Sequence, residues 1–321
     1  MIIATATPKG GEGKSTTCYF LGNALVRRGF KVLFVDMDPQ NSLTYLLFER
    51  YNVKYDDVSC DIAKFLVDPE RNSPYKLDNN LDVIPSTFAL ASQRTIGKGV
   101  LKSKLDKIKS NYDFIIIDTA PSYDNFFITT CNASDVVIYP IFIKSVLSFK
   151  TFVISVNLML EENHTDILEK TRLLCTKFYN TDGELQNMQV LRNFINDDED
   201  TLFYKTKIPF SKKIINVQNS NKLQGKLSDE VFRYYDILID EIFNDHKIYL
   251  DRLSSINHAN SKVQSNIQVV EGEDEDEIAK NIHAHEMNER RIVRPNRRHV
   301  DIHGDHDVFP AELGLNQLPD G

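Results

Sequence analysis

The sequence predicts an α/β fold: a mostly parallel, twisted sheet flanked by helices on both faces. Three observations point there. Short apolar runs recur between helical patterns over residues 1–250, the runs are continuous rather than alternating, and the first opens through a glycine-rich loop into a helix. Continuous apolar runs suit strands buried on both faces. The runs are Ile2–Ala6, Lys31–Val35, Leu81–Ile84, Phe114–Ile117, Val136–Tyr139 and Gln189–Leu191. Between the first two, Ser15–Arg28 carries Cys18, Leu21 and Leu25 on one helical face, and Gly29 follows as a C-terminal stop. Strand, helix and strand at these lengths form a right-handed βαβ unit.

Composition sets the boundaries. Of 321 residues 41% are hydrophobic, enough for a large core. The four cysteines (Cys18, Cys60, Cys131, Cys175) are scattered without a CxxC pair, which argues against a disulfide framework and a cysteine-rich zinc site. No apolar run reaches membrane-spanning length and no leader-like segment opens the chain, so a cytoplasmic protein is expected. The net charge of −8 is unevenly placed. Residues 251–321 hold 14 acidic and 8 basic residues, while residues 1–250 hold 32 and 30 and are close to neutral. The last stretch also holds six of the eight histidines, an acidic run at 271–277 and five arginines between Arg290 and Arg298. Large apolar residues become sparse there, so a folded domain over 1–255 is expected, followed by a charged, disordered tail over 256–321 with a short helix possible around 275–291.

Pro8-Lys-Gly-Gly-Glu-Gly-Lys-Ser-Thr16 carries the chemistry. Gly10, Gly11 and Gly13 allow the backbone to curl with its N–H groups turned inward on phosphate oxygens, and the helix N-terminus adds partial positive charge. Lys14 then reaches the terminal phosphates and the Ser15 hydroxyl coordinates Mg²⁺. Lys9 through Thr16 (Lys9, Gly10, Gly11, Glu12, Gly13, Lys14, Ser15, Thr16) form the candidate nucleotide-binding set. The strict pattern wants glycine where Pro8 stands, and Lys9 is an additional cation.

Two further carboxylate positions follow at strand ends. Val35-Asp36-Met-Asp38-Pro-Gln40 places two acids where ligands bind in open α/β sheets. One would serve the metal's hydration shell and the other orient an attacking water; on spacing alone, capping carboxylates read nearly as well. Ile115-Ile-Ile-Asp118 ends a buried strand with an acid suited to hold Mg²⁺ through water.

The KGGxGKS loop resembles the deviant Walker A box of the ParA/MinD family of P-loop ATPases. The match extends through Asp36-Met-Asp38-Pro-Gln40, Asp118-Thr-Ala-Pro121, Leu81–Ser86, Asn132–Pro140 and Ile208-Pro209-Phe210, over roughly residues 1–245. The resemblance implies an ATP- and Mg²⁺-dependent ATPase that forms an ATP sandwich homodimer. Lys9 would reach the partner's phosphates, Lys14 the chain's own, and Asp38 would position the hydrolytic water, making Lys9, Lys14 and Asp38 the catalytic set. Ser15, Asp36 and Asp118 would serve the metal. Pro209 would border the base and Asn193 would contact it, a turn asparagine being the other reading of Asn193. Ala120 stands where the family usually has proline, which puts the stiffness of the following loop in question.

Small ParA partition proteins are the nearest match in type. They bind DNA without sequence preference through late basic residues, here Lys205, Lys207, Lys212, Lys213, Lys222 and Lys226, with an ordinary solvated face as the other reading. The resemblance implies a ParB-like centromere-binding or cargo-adaptor partner and a nucleoid-associated protein. A MinD-like or protein-cargo-positioning ATPase is the rival. A membrane role would need an amphipathic helix, which Phe309–Gly321, with two prolines and two glycines, does not offer. An iron–sulfur reductase would need a well-placed partner for Cys131. In the tail, His299, His303 and His306 read as solvated or as metal ligands, and the acidic run as a solubiliser, a partner handle or a competitor of DNA.

Overall fold

The computed structural model describes residues 1–92, 96–195, 202–219 and 224–269. Eight strands form one sheet: β1 (Ile2–Thr5), β2 (Val32–Met37), β3 (Tyr75–Asp78), β4 (Leu81–Ile84), β5 (Phe114–Thr119), β6 (Val136–Ile141), β7 (Thr171–Phe178) and β8 (Phe203–Pro209). Their order is β3-β4-β2-β5-β1-β6-β7-β8, parallel throughout except for the β3–β4 pair. The helices are α1 (Lys14–Arg27), α2 (Ser42–Tyr51), α3 (Ile62–Val67), α4 (Val100–Leu105), α5 (Asn125–Ala133), α6 (Val146–Glu161), α7 (Thr165–Glu169), α8 (Asp182–Ile195), α9 (Lys212–Asn219) and α10 (Lys226–Val269).

The β1–α1–β2 unit follows the sequence closely. Every residue of β1, β2 and β5 is buried, which explains their uninterrupted apolar runs. Gly29, at φ +89°, ends α1 by donating to Val26 O while Phe30 N–H donates to Leu25 O, a paired C-terminal cap that needs the left-handed conformation glycine adopts freely. Gly22 lets α1 lie directly on the sheet: a Cβ there would stand 2.2 Å from the Phe34 ring.

The later strands differ from expectation. Gln189–Leu191 is not a strand but lies within α8. Three residues are too few for apolarity to distinguish helix from strand, and the polar residues around them follow a helical period. The strands of this region are β7, which carries Arg172 and Lys177, and β8, the sheet's edge, where Lys205 and Lys207 alternate with buried positions.

α10 lies across α1. Phe232 and Tyr235 pack on Phe20, with ring centroids 5.6 and 5.2 Å apart, and Arg27 and Arg28 pair with Asp229, Asp236 and Asp240. The helix continues through residue 255, where large apolar residues thin out, and the compact unit ends at Gln268. Residues 270–321, including the acidic run, His299, His303, His306 and the helix expected around 275–291, lie outside the described residues. No helix among the described residues is long and apolar enough to cross a membrane.

Candidate functional site

The loop between β1 and α1 sits where the strand order changes direction, at the carboxyl ends of β1, β5 and β2. Gly11 and Gly13 take φ of +78° and +90°, and Gly13 opens α1 directly. Such alternation turns successive N–H groups to one side. Among the described residues, no N–H from Gly10 to Thr16 makes a protein hydrogen bond of normal geometry. These donors are free for an anion. Lys14 Nζ donates to the Lys9 carbonyl (3.1 Å), and Thr16 Oγ1 donates to Gln218 Oε1 on α9 (3.3 Å). Pro121, in the loop after β5, stands beside Gly10.

The three acids converge as the spacing predicts. Asp36 and Asp118 are register partners on β2 and β5, both fully buried, and Asp38 follows at the end of β2 with 6% exposure. Asp36 is held by the chain itself: Oδ2 accepts from Thr44 N (2.8 Å) and Oγ1 (2.7 Å), and Oδ1 accepts from Asp38 N (3.0 Å). Burial, only partly offset by these bonds, pushes its carboxyl up to about 6. All its bonds are thus internal, and what it visibly positions is the backbone of Asp38.

Asp118 is different. Both oxygens are buried and neither receives a well-formed hydrogen bond. Burial first and Asp36 second push its carboxyl well above the ordinary range, while the Ser15 hydroxyl and the Lys14 ammonium pull it back. Burial also raises Asp38, against Gln40 N–H and Lys14, and burial lowers Lys14 despite the attraction of Asp118. The Lys14 ammonium is drawn to the buried carboxyls of Asp118, Asp38 and Glu12. A buried carboxylate without a donor, beside a serine hydroxyl, is a donor set that fits a hard cation such as Mg²⁺, which takes few protein ligands and completes its shell with water and phosphate oxygens.

Lys9 does not point out of the molecule. Its Nζ donates to Glu12 Oε1 (2.6 Å), Ser148 Oγ (2.7 Å) and Ser145 Oγ (3.2 Å). Glu12 is 2% exposed and also accepts from Phe142 N and Ser148 Oγ, so loop and α6 are joined through one carboxylate. The sequence points to Glu12 only as part of the loop's backbone; an acid inside a loop built for phosphate is the one signal of a further role.

The remaining candidates are spread more widely. Asn193 is exposed on the last turn of α8, accepting from Gln189 Nε2 (2.8 Å), because the strand expected to end beside it is helical. Pro209 closes β8, and Phe210, the last residue of the matched Ile208–Phe210 segment, stacks on Tyr179 (5.1 Å) beside β7; nothing in the sequence points to Tyr179. Lys205 and Lys207 lie on β8, Lys212 and Lys213 on α9, and Lys226 begins α10. Lys213 pairs with Glu230 and Lys207 lies over the Phe178 ring (4.6 Å). Lys222 falls outside the described residues.

A family model described as an AAA domain matches residues 1–166. The sporulation initiation inhibitor protein Soj of Bacillus subtilis is 32% identical over 232 residues, 69% of this chain and 88% of that protein. The maintenance of carboxysome distribution protein A of Synechococcus elongatus is 34% identical over 146 residues, but the match spans 44% of this chain and 57% of that relative. Among solved structures, a plasmid partition protein of Borrelia burgdorferi bound to AMPPNP superposes with a TM-score of 0.58 at 26% identity, over 75% of this chain and 97% of that one. An ATP complex of McdA from Cyanothece shares the fold with a TM-score of 0.64 at 20% identity, over 76% and 96%. By the family model over half of its length and the likeness to Soj, the chain belongs to the ParA/MinD family of P-loop ATPases.

Proposed function

We propose that the protein is a ParA-like partition ATPase: it dimerises with ATP, binds DNA without sequence preference in that state, and is released when hydrolysis is stimulated by a cargo-bound partner. The convergence of the unpartnered loop N–H groups, Lys14 and Asp38 on one crevice carries the ATPase part of this reading. The loop N–H groups and Lys14 hold and neutralise the phosphates, Ser15 and Asp118 hold Mg²⁺, and Asp38, kept in place by Asp36, orients the attacking water. Bound Mg²⁺ supplies charge neutralisation at the phosphate oxygens. Lys9 acts across the dimer only after leaving the Glu12 and Ser148 contacts that now hold it.

DNA binding is assigned to Lys205, Lys207, Lys212, Lys213, Lys222 and Lys226, a ParB-like protein or a cargo adaptor to the partner, and the nucleoid to the location. Support for this output comes from the lysines and from the partition proteins among the relatives. The carboxysome-distribution relatives favour a second reading, in which the cargo is a protein assembly. Cys131, the thiol an iron–sulfur role would use, is buried in α5 and pushed up to about 12 by burial.

The test is retention on non-specific DNA at low salt with ATP and Mg²⁺. Retention that vanishes with ADP and falls steeply with salt is expected; no ATP-dependent retention would remove the DNA part of the proposal.

A further inference from the structure

The phosphate loop is held from outside by β7, through a residue in an uncommon backbone conformation. Lys177 sits at φ +53°, the left-handed region that a long side chain rarely occupies, where the β7–β8 register shifts between Cys175 and Phe178. Its Nζ donates to the Gly11 carbonyl (2.7 Å). The residue before it, Thr176, donates its hydroxyl to the Glu12 carbonyl (2.8 Å), and its methyl lies beside Gly13.

The bend is anchored. Immediately after it, buried Glu184 accepts from Tyr179 N (3.1 Å), Thr181 N (3.0 Å) and Thr181 Oγ1 (3.1 Å), while Glu184 N–H returns to Thr181 Oγ1 (3.4 Å). That reciprocal cap starts α8 and fixes the turn that leaves β7.

The consequence follows from peptide geometry. The Gly11 carbonyl and the Glu12 N–H belong to one planar peptide and point oppositely, as do the Glu12 carbonyl and the Gly13 N–H. Tying both carbonyls to β7 turns both N–H groups away from it, and neither has a protein acceptor. We propose that Lys177, assisted by Thr176, is a positioning residue for nucleotide binding, holding the Gly11–Gly13 peptides in the orientation that presents their N–H groups to the phosphates. This rests on the reading of residues 9–16 as the nucleotide site.

The test compares Lys177→Gly and Lys177→Arg with the parent chain, measuring affinity for a non-hydrolysable ATP analogue and for ADP, each with Mg²⁺, and the thermal unfolding midpoint. Lys177→Gly removes the ammonium but suits the left-handed backbone, so its midpoint should equal or exceed the parent's. Its affinity for both nucleotides should fall about tenfold and by the same factor, because the loop peptides serve phosphates common to both. Lys177→Arg should restore most of the affinity. Unchanged affinity in Lys177→Gly overturns the proposal. So does a loss confined to the ATP analogue, which would mark direct contact with the terminal phosphate, or a loss that tracks a lowered midpoint. If the parent chain binds neither nucleotide, the reading of the site itself fails, a result distinct from these.

Discussion

The two sides of the phosphate loop are built from different materials. Toward β5 and β2 lie charges buried in an apolar surround: Asp36 and Asp118 are fully buried and Asp38 nearly so, with Lys14 the cation among them. Toward β6, α6 and β7 lie hydrogen bonds to the loop itself: Glu12 joined to Lys9, Ser148 and Phe142 N–H, and Thr176 and Lys177 on the loop carbonyls. The first side supplies the groups that meet phosphate, metal and water. The second shapes the backbone that presents them. Chemistry and scaffolding are thus separated across one loop, and substitutions on the two sides should fail in different ways.

The largest effect belongs to the carboxylate side. Asp38→Ala should lower ATP hydrolysis by at least about a hundredfold, the scale of removing a group that handles the attacking water. Phosphate release reads the loss and an analogue-binding titration should show affinity retained. Hydrolysis within about threefold of the parent would assign the water to another residue. Next is Gly22→Ala. Alanine favours helices over glycine by about 1 kcal/mol, but its methyl would stand 2.2 Å from Phe34 in a packed interior, and overpacking costs about 1–3 kcal/mol. Destabilisation in urea unfolding is expected, partly relieved by adding Phe34→Leu. A stabilised variant would mean that Phe34 moves without cost.

The same division explains what could be read from the sequence. β1, β2 and β5 are buried on both faces, so their apolar runs stand out, and the acids closing them are visible because charge at the end of such a run is conspicuous. The glycines mark the loop for the same reason: Gly11 and Gly13 need positive φ. β7 and β8 carry lysines and an arginine among their apolar residues, so no continuous apolar run marks them, and a piece of α8 reads as a strand instead. The contact of Lys177 with Gly11 and those of Glu12 with Phe142 and Ser148 are illegible because they span 166, 130 and 136 residues of chain. Which surface lysines pair with acids is equally hidden, since Glu230 meets Lys213 only because α10 lies against α9.

On the scaffolding side, Glu12→Gln removes the charge that holds Lys9 while leaving an acceptor for Phe142 N–H. Because the Lys9 side chain is only 20% exposed, the ion pair is worth more than a surface one, and a stability loss of about 1–2 kcal/mol is expected by thermal or urea unfolding. Releasing Lys9 should also make ATP-dependent dimerisation easier, read by light scattering at rising protein concentration. Weaker dimerisation would mean that Glu12 orders Lys9 for the partner rather than retaining it.

The smallest effect separates the two sides at the base. The sequence places the base contact at Asn193, on the assumption that a strand ends just before it. In the structure that residue is exposed on α8 and is engaged by Gln189, an i,i+4 pair worth about 0.2–0.5 kcal/mol. Asn193→Ala should therefore change stability by no more than about 0.5 kcal/mol and leave the dissociation constant for ATP within twofold of the parent. Tyr179 and Phe210, stacked at the ends of β7 and β8 and each about half exposed, offer apolar surface on the edge of the sheet that carries Lys177. Tyr179→Ala should weaken ATP more than Asn193→Ala does, by the roughly 1 kcal/mol that an aromatic contact contributes. Should Asn193→Ala be the more damaging, the base lies toward α8, and β7 would act on the phosphate loop alone.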